Sequence, residues 1–141
     1  MTPENERKTA FLDRYKTAVM ELTQIEKRIT QLRLNALPGG VSYEGMPHSG
    51  SGENRADLAN YAAKLDDLLM EAVRQRMHLI SELQAVSRAI DHVKDADSRI
   101  LLRSKYIDLM GWAEIAALMN YSEEYVKRGK YGEALRNFEI I

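Results

Sequence analysis

The side chains of this sequence best suited to contacting a partner crowd into one stretch near its end: Glu123, Glu124, Lys127, Arg128, Lys130 and Tyr131. Lysine and arginine can donate to guanine edges or to phosphates, and a glutamate can accept from the amino group of cytosine. Arg103 and Lys105, upstream of this stretch, are of the type that holds phosphates. The chemistry on offer is hydrogen bonding and charge pairing with a nucleic acid, with Lys127, Arg128 and Lys130 as the first candidates for contact. The competing reading is a solvated charged face, the usual fate of such residues.

Bond-making chemistry has little to work with. There is no cysteine, which removes disulfides, thiolate metal sites and cysteine nucleophiles together. His48 lies in a Gly-rich stretch, while His78 and His92 are fourteen positions apart, about 21 Å along a helix, too far to share a metal. The carboxylate pairs Asp66-Asp67 and Glu123-Glu124 are adjacent in sequence, so on a helix they diverge and cannot act as acid and base on one face. No nucleophile has a neighbouring base, and no strand and Lys-Ser/Thr pair flank Pro38-Gly39-Gly40 or Ser49-Gly50-Ser51-Gly52 to make a phosphate loop. The sequence therefore reads as a non-enzyme without a cofactor.

The elements that would position the charged stretch are short helices. Trp112-Ala113-Glu114-Ile115-Ala116 opens one, Asn120-Tyr121-Ser122 forms a turn, and Ser122 stands where an N-cap would start the next, from Glu123 to Phe138. A helix-turn-helix needs a small residue at the helix crossing, which Ala116 supplies. Ile115, Leu118, Met119 and Val126 would face inward, and the preceding helix would offer Ile100, Leu101, Tyr106, Ile107 and Leu109. Tyr121 is expected to pack under the turn and Tyr131 to be exposed. Gly129 and Gly132 fall inside the reading helix, each costing about 1 kcal/mol relative to alanine. A weak or bent reading helix that orders on its target is the expectation.

The run RSKYIDLMGWAEIAALMNYSEEYV followed by EALRNF resembles the fourth region of bacterial sigma factors, which reads an upstream promoter element. It resembles more closely the phage and prophage proteins with a sigma region-four-like C-terminus, akin to ArpU/RinA-type late transcription regulators. The order of parts agrees as well: a heptad helix, a Gly/Ser-rich break, a longer helix, then the Tyr-Ile, Trp-x-Glu-Ile-Ala, Tyr-Ser and Ala-Leu landmarks. The resemblance implies binding to promoter DNA, or to RNA polymerase or a sigma factor, in transcription control.

The rest of the chain supplies the scaffold. Thr2-Pro3-Glu4 is a helix start, and Phe11, Tyr15, Ala18, Leu22, Ile25, Ile29 and Leu32 recur at steps of four and three. Ala36 to Asn54 carries five of the eight glycines and two of the three prolines, the density of a loop. A second helix, from Arg55 to about Val93, holds the same spacing from Leu58 to Val93, with Arg76 as the polar interruption. The expected fold is all-α: residues 1-94 as a long antiparallel, coiled-coil-like hairpin, then residues 95-141 as a three-helix unit started by Asp95 or Asp97. Leu12, Val19, Leu68, Val73, Met77 and Ile80 widen the apolar stripe beyond a two-helix seam. A homodimer through the hairpins is the simplest cover for them.

Net charge is −1 over 141 residues. From Asp95 onward, Arg99, Arg103, Lys105, Lys127, Arg128, Lys130 and Arg136 stand against eight carboxylates, so any DNA footprint is local. No apolar run approaches the length of a membrane span and the N-terminus is not a signal peptide, which makes a cytoplasmic protein the default. Three readings compete: a DNA-binding transcription regulator; a module that docks on RNA polymerase or a sigma factor without DNA affinity, which the neutral charge favours; and a phage packaging or scaffold protein. Small terminase subunits of that last kind usually place the DNA-binding unit first, the reverse of this order.

Overall fold

Thr2 begins the first helix as its type allows: its Oγ1 accepts from the Asn5 backbone N at 3.1 Å, and Pro3 sits where a missing N–H costs nothing. Helix α1 spans Pro3–Leu12 and α2 spans Arg14–Ala36, parted at Asp13, where the expected single helix is interrupted. Asp13 keeps helical backbone angles and its carbonyl accepts from Thr17 N at 3.0 Å, so the chain carries on. This computed structural model describes residues 1–36 and 51–141, and all regular structure among them is helical. The fold is all-α.

The expected loop lies mostly outside the described residues, together with Pro38-Gly39-Gly40 and His48. Its two ends differ from expectation: Ala36 closes α2, and Ser51 to Asn54 already belong to α3, Ser51–Asp91. Next comes α4, Ala96–Tyr106, started by Asp95, whose carboxylate accepts from the backbone N of Ser98 at 3.0 Å and from its hydroxyl at 2.7 Å. Those two bonds hold the Asp95 carboxyl below its usual pKa. Then follow α5, Trp112–Met119, α6, Glu123–Tyr125, a π-helical turn, Val126–Lys130, and α7, Tyr131–Asn137. No helix among the described residues is long and apolar enough to cross a membrane.

Two compact units result, and they do not part between residues 94 and 95. One joins Met1–Val19 to His78–Ile141; the other is Met20–Met77. The first has a continuous core in which Leu12 from α1 and Val86, Ile90 and Val93 from the end of α3 are buried with Leu101, Leu102, Ile115, Val126, Leu135 and Phe138. Lys8 is buried here too, its Nζ donating to the Leu135 carbonyl at 2.7 Å near the end of α7 and pairing with Glu4 at 3.5 Å. Arg14 reaches the largely buried Glu82 at 2.6 Å.

The second unit sets Leu22, Ile25 and Ile29 of α2 against Leu65, Leu68 and Ala72 of α3, the two segments running in opposite directions. Arg76 is half-exposed at its edge and pairs with Glu26 at 3.4 Å, beside a matching Arg28–Glu71 pair at 3.4 Å. Of the residues expected to widen the stripe, Leu12 is fully buried in the first unit and Leu68 half-buried in the second, while Val73, Met77 and Ile80 are exposed.

Two inward faces are turned from the expected phase. On α4 the buried residues are Ser98, Leu101, Leu102, Ser104 and Tyr106, and Ile100 is exposed. The Asp95 cap and a 3.1 Å bond from Asn137 Nδ2 fix Ser98 inward. Leu109 lies past the end of α4 with φ 55°, a left-handed conformation off any helical face. On α5, Trp112, Ile115, Ala116 and Met119 define the inward arc, and Leu118 falls about 110° away from its centre at 3.6 residues per turn. Leu118 is accordingly exposed.

Candidate nucleic-acid interface

The turn between α5 and α6 is built from local chemistry. Asn120 ends α5 in the left-handed conformation (φ 63°, ψ 39°), which asparagine tolerates better than most side chains, and its N–H returns to the last carbonyls of α5. Ser122 then accepts from Tyr125 N at 3.1 Å, so a helix ends and the next is capped within three residues. Glu123 and Glu124 occupy the first turn.

Beyond Tyr125 the helix widens into the π turn, where the N–H of Tyr131 bonds the carbonyl of Val126. A π turn absorbs one extra residue. The eight-residue step from Val126 to Ala134 therefore spans what seven residues, two turns, span in an α-helix, and both side chains reach the core. Residues before the insertion keep the expected direction, and those after it are rotated.

That rotation sorts the candidate residues. Glu123, Glu124, Lys127 and Arg128 are exposed and line one shallow depression. Arg128 pairs loosely with Glu124 at 3.5 Å, both largely exposed, and among the described residues no carboxylate lies within ion-pair distance of Lys127.

Lys130 is not part of this outward face. Its side chain is only 16% exposed, 3.4 Å from Asp97 and 3.8 Å from Glu133, and its ammonium lies 5.3 Å from the Tyr121 ring centre. Partial desolvation pulls its pKa down, but Asp97 and then Glu133 outweigh it, and the net direction is upward. Tyr131, expected to be exposed, is half-buried instead. The insertion puts it four effective positions after Val126, with its hydroxyl 2.6 Å from that of Tyr106 and its ring edge-on to Trp112 at 5.0 Å.

The two upstream candidates also serve the core. Arg103 pairs with Asp91 and donates to Ser87 Oγ at 3.3 Å, fastening α4 to the end of α3. Lys105 lies 4.3 Å from the Trp112 ring centre and within 6 Å of Tyr106 and Tyr131. Burial lowers its pKa, with the Asp13 carboxylate opposing. Arg103 is thus engaged by Asp91 and Ser87, and Lys105 by the surrounding rings.

Sequence reasoning missed two residues at this site. Asp97, treated only as a possible cap, accepts the Tyr121 hydroxyl at 3.1 Å and pairs with Lys130, tying the start of α4 to the turn; that bond raises the Tyr121 pKa. Tyr125, not Tyr131, is the exposed aromatic, half in solvent and edge-on to Tyr121 at 5.1 Å. Tyr121 itself is exposed beside the turn rather than packed under it. Leu118, near the end of α5, is exposed as well. Protein-family models, curated proteins and solved structures yield no match to this chain.

Proposed function

We propose that the chain is a DNA-binding transcription regulator of phage or prophage type, in which the helix that starts at Glu123 enters the major groove. One observation carries the reading: a three-residue capped turn delivers a second helix whose first exposed cations, Lys127 and Arg128, line one depression with Glu123 and Glu124. In helix-turn-helix proteins the N-terminal part of the second helix contacts base edges. Lys127 and Arg128 donate there, and Glu123 or Glu124 accepts from cytosine. Lys130, Arg103, Lys105 and Tyr131 hold these residues in place rather than touching DNA.

The test is enrichment of genomic and prophage fragments by the full chain at about 50 mM salt, beside the double variant Lys127→Glu, Arg128→Glu. Discrete fragments are expected for the wild type and none for the variant. Replacing either cation by alanine is expected to cost about 1–3 kcal/mol of binding and to relax the sequence preference at the base it contacts. A folded wild type that enriches nothing overturns the proposal.

A second reading has its own observation. Leu118, Tyr121 and Tyr125 are exposed together around the turn, an apolar surface that DNA does not require. It suits docking on RNA polymerase or a sigma factor. Under that reading Leu118→Glu abolishes polymerase co-purification, whereas the Lys127/Arg128 reversal leaves it intact.

A further inference from the structure

The outer face of α3 in the Met20–Met77 unit is apolar and uncovered. Leu65, Leu68 and Ala72 face α2, while Met70, Val73 and Met77 recur at steps of three and four on the other side, each more than half exposed. Exposed apolar residues scattered singly are ordinary, but a heptad-spaced line along one helix is the pattern of a helix seam.

The residues beside the line say which seam. Asp67 and Arg74 are exposed on the same flank, seven positions apart, with a midpoint at 70.5. Within the line, Ala63 and Met77 are a small and a large residue, both exposed, with a midpoint at 70. Met70 itself lies at that point. A second copy of α3 laid antiparallel across a two-fold axis at Met70 sets Asp67 against Arg74 of the second copy, Met77 into the space left by its Ala63, and Met70 against Met70. All three pairings come from one axis to within half a residue.

A parallel copy offers none of this. There Asp67 faces Ala62 and Arg74 faces Leu69 of the second copy, and neither charge finds its opposite. The carboxylates of Asp66 and Asp67 also argue against a nucleic acid on this face, since phosphates repel them.

We infer that the partner of this face is a second copy of the same chain, paired antiparallel through α3 about Met70. An isologous interface of this kind is the commonest route to a dimer. The inference stands apart from DNA binding, because no residue in it belongs to the turn or the reading helix.

The chain has no cysteine, so single cysteines report the axis directly. In the full-length protein, Met70→Cys is expected to oxidise to a covalent dimer. Met77→Cys and Ala63→Cys alone are expected to stay uncrosslinked and to join only when the two are mixed. Light scattering at micromolar concentration is expected to give a dimer mass for the wild type, a monomer for Arg74→Asp, and a restored dimer for Asp67→Arg combined with Arg74→Asp. Unchanged far-ultraviolet circular dichroism shows that these surface variants fold, and Lys127→Glu with Arg128→Glu leaves the mass at the dimer value whether or not DNA is bound. A monomeric wild type, or a dimer indifferent to Arg74→Asp and uncrosslinked by Met70→Cys, overturns the inference.

Discussion

Tyr106 is one of the hydroxyls through which the turn-bearing unit responds to pH, beside Tyr131, whose pKa burial also raises. Tyr106 is almost wholly buried, and its hydroxyl shares a 2.6 Å hydrogen bond with that of Tyr131. Burial first, and then the bond to Tyr131, push its pKa far above the ordinary value of about 10. The unfolded chain releases this proton near pH 10 while the folded chain keeps it. The stabilisation is therefore full below about pH 10 and is lost as pH rises further. Lys105, whose pKa is lowered by burial, has the opposite sign: the unfolded chain binds more protons, and stability from that group rises with pH. Urea titrations of wild type and Tyr106→Phe separate the two. The variant is expected to be about 1 kcal/mol less stable at neutral pH, where the Tyr131 hydroxyl loses its partner, and to show a weaker alkaline decline. An equal decline in both proteins would remove Tyr106 from the account. The sequence marks Tyr106 as an inward residue, but not its partner twenty-five positions later. The sequence offers Asp97 only as a cap and gives Lys8 no role for the same reason: the Tyr121 hydroxyl and the Leu135 carbonyl that they serve are brought to them by packing, not by local spacing.

Among the elements, caps and turns are the legible part. Thr2, Asn120 and Ser122 act within three or four residues of themselves, so their types suffice to place them. The π turn is different. A continuous α-helix from Glu123 sends Tyr131 outward, and the observed one sends it inward because one residue is inserted between Val126 and Ala134. The sequence carries no signal of it, because apolar residues eight apart also share one face of an ordinary α-helix. Deleting Gly129 tests this account. The deletion converts the π turn into α-helix and leaves Val126 and Ala134 two turns apart, so the core register downstream survives. An added Cβ at Gly129 would meet the Tyr125 ring at an ordinary 3.6 Å, so tight packing is not what keeps a glycine there. The deletion variant is expected to unfold cooperatively within a few degrees of wild type. Inserting one alanine at the same point turns Ala134, Leu135 and Phe138 by about 100° and is expected to abolish the cooperative transition. Equal loss of stability from deletion and insertion would show that the extra residue is required, not merely tolerated.

At the scale of the molecule, the break in composition is a poor guide to where the chain divides. The Gly/Ser-rich stretch and the Lys94-Asp95-Ala96-Asp97 break suggest a hairpin followed by an independent three-helix unit. Instead, the core beneath the turn draws on both ends of the sequence: Leu12, Val86, Ile90 and Val93 are buried with Leu101, Leu135 and Phe138, and Phe11 stacks on Phe138 with ring centres 6.0 Å apart. Each fully buried aliphatic or aromatic side chain is worth about 1.5–3 kcal/mol, against a total stability of about 5–15 kcal/mol for a domain. A fragment of residues 95–141 loses at least four such partners along with the Lys8 bond to Leu135. It is expected to give a poorly dispersed amide spectrum and no cooperative melting. By contrast, Met1–Val19 joined through a short Gly/Ser linker to His78–Ile141 keeps the whole core together with the Arg14–Glu82 pair, and is expected to be dispersed and to melt cooperatively. A well-folded 95–141 fragment would restore the simpler division. If the linked chain alone folds, the first nineteen residues are part of the scaffold that positions Lys127 and Arg128, and DNA-binding assays on the C-terminal fragment would return a false negative.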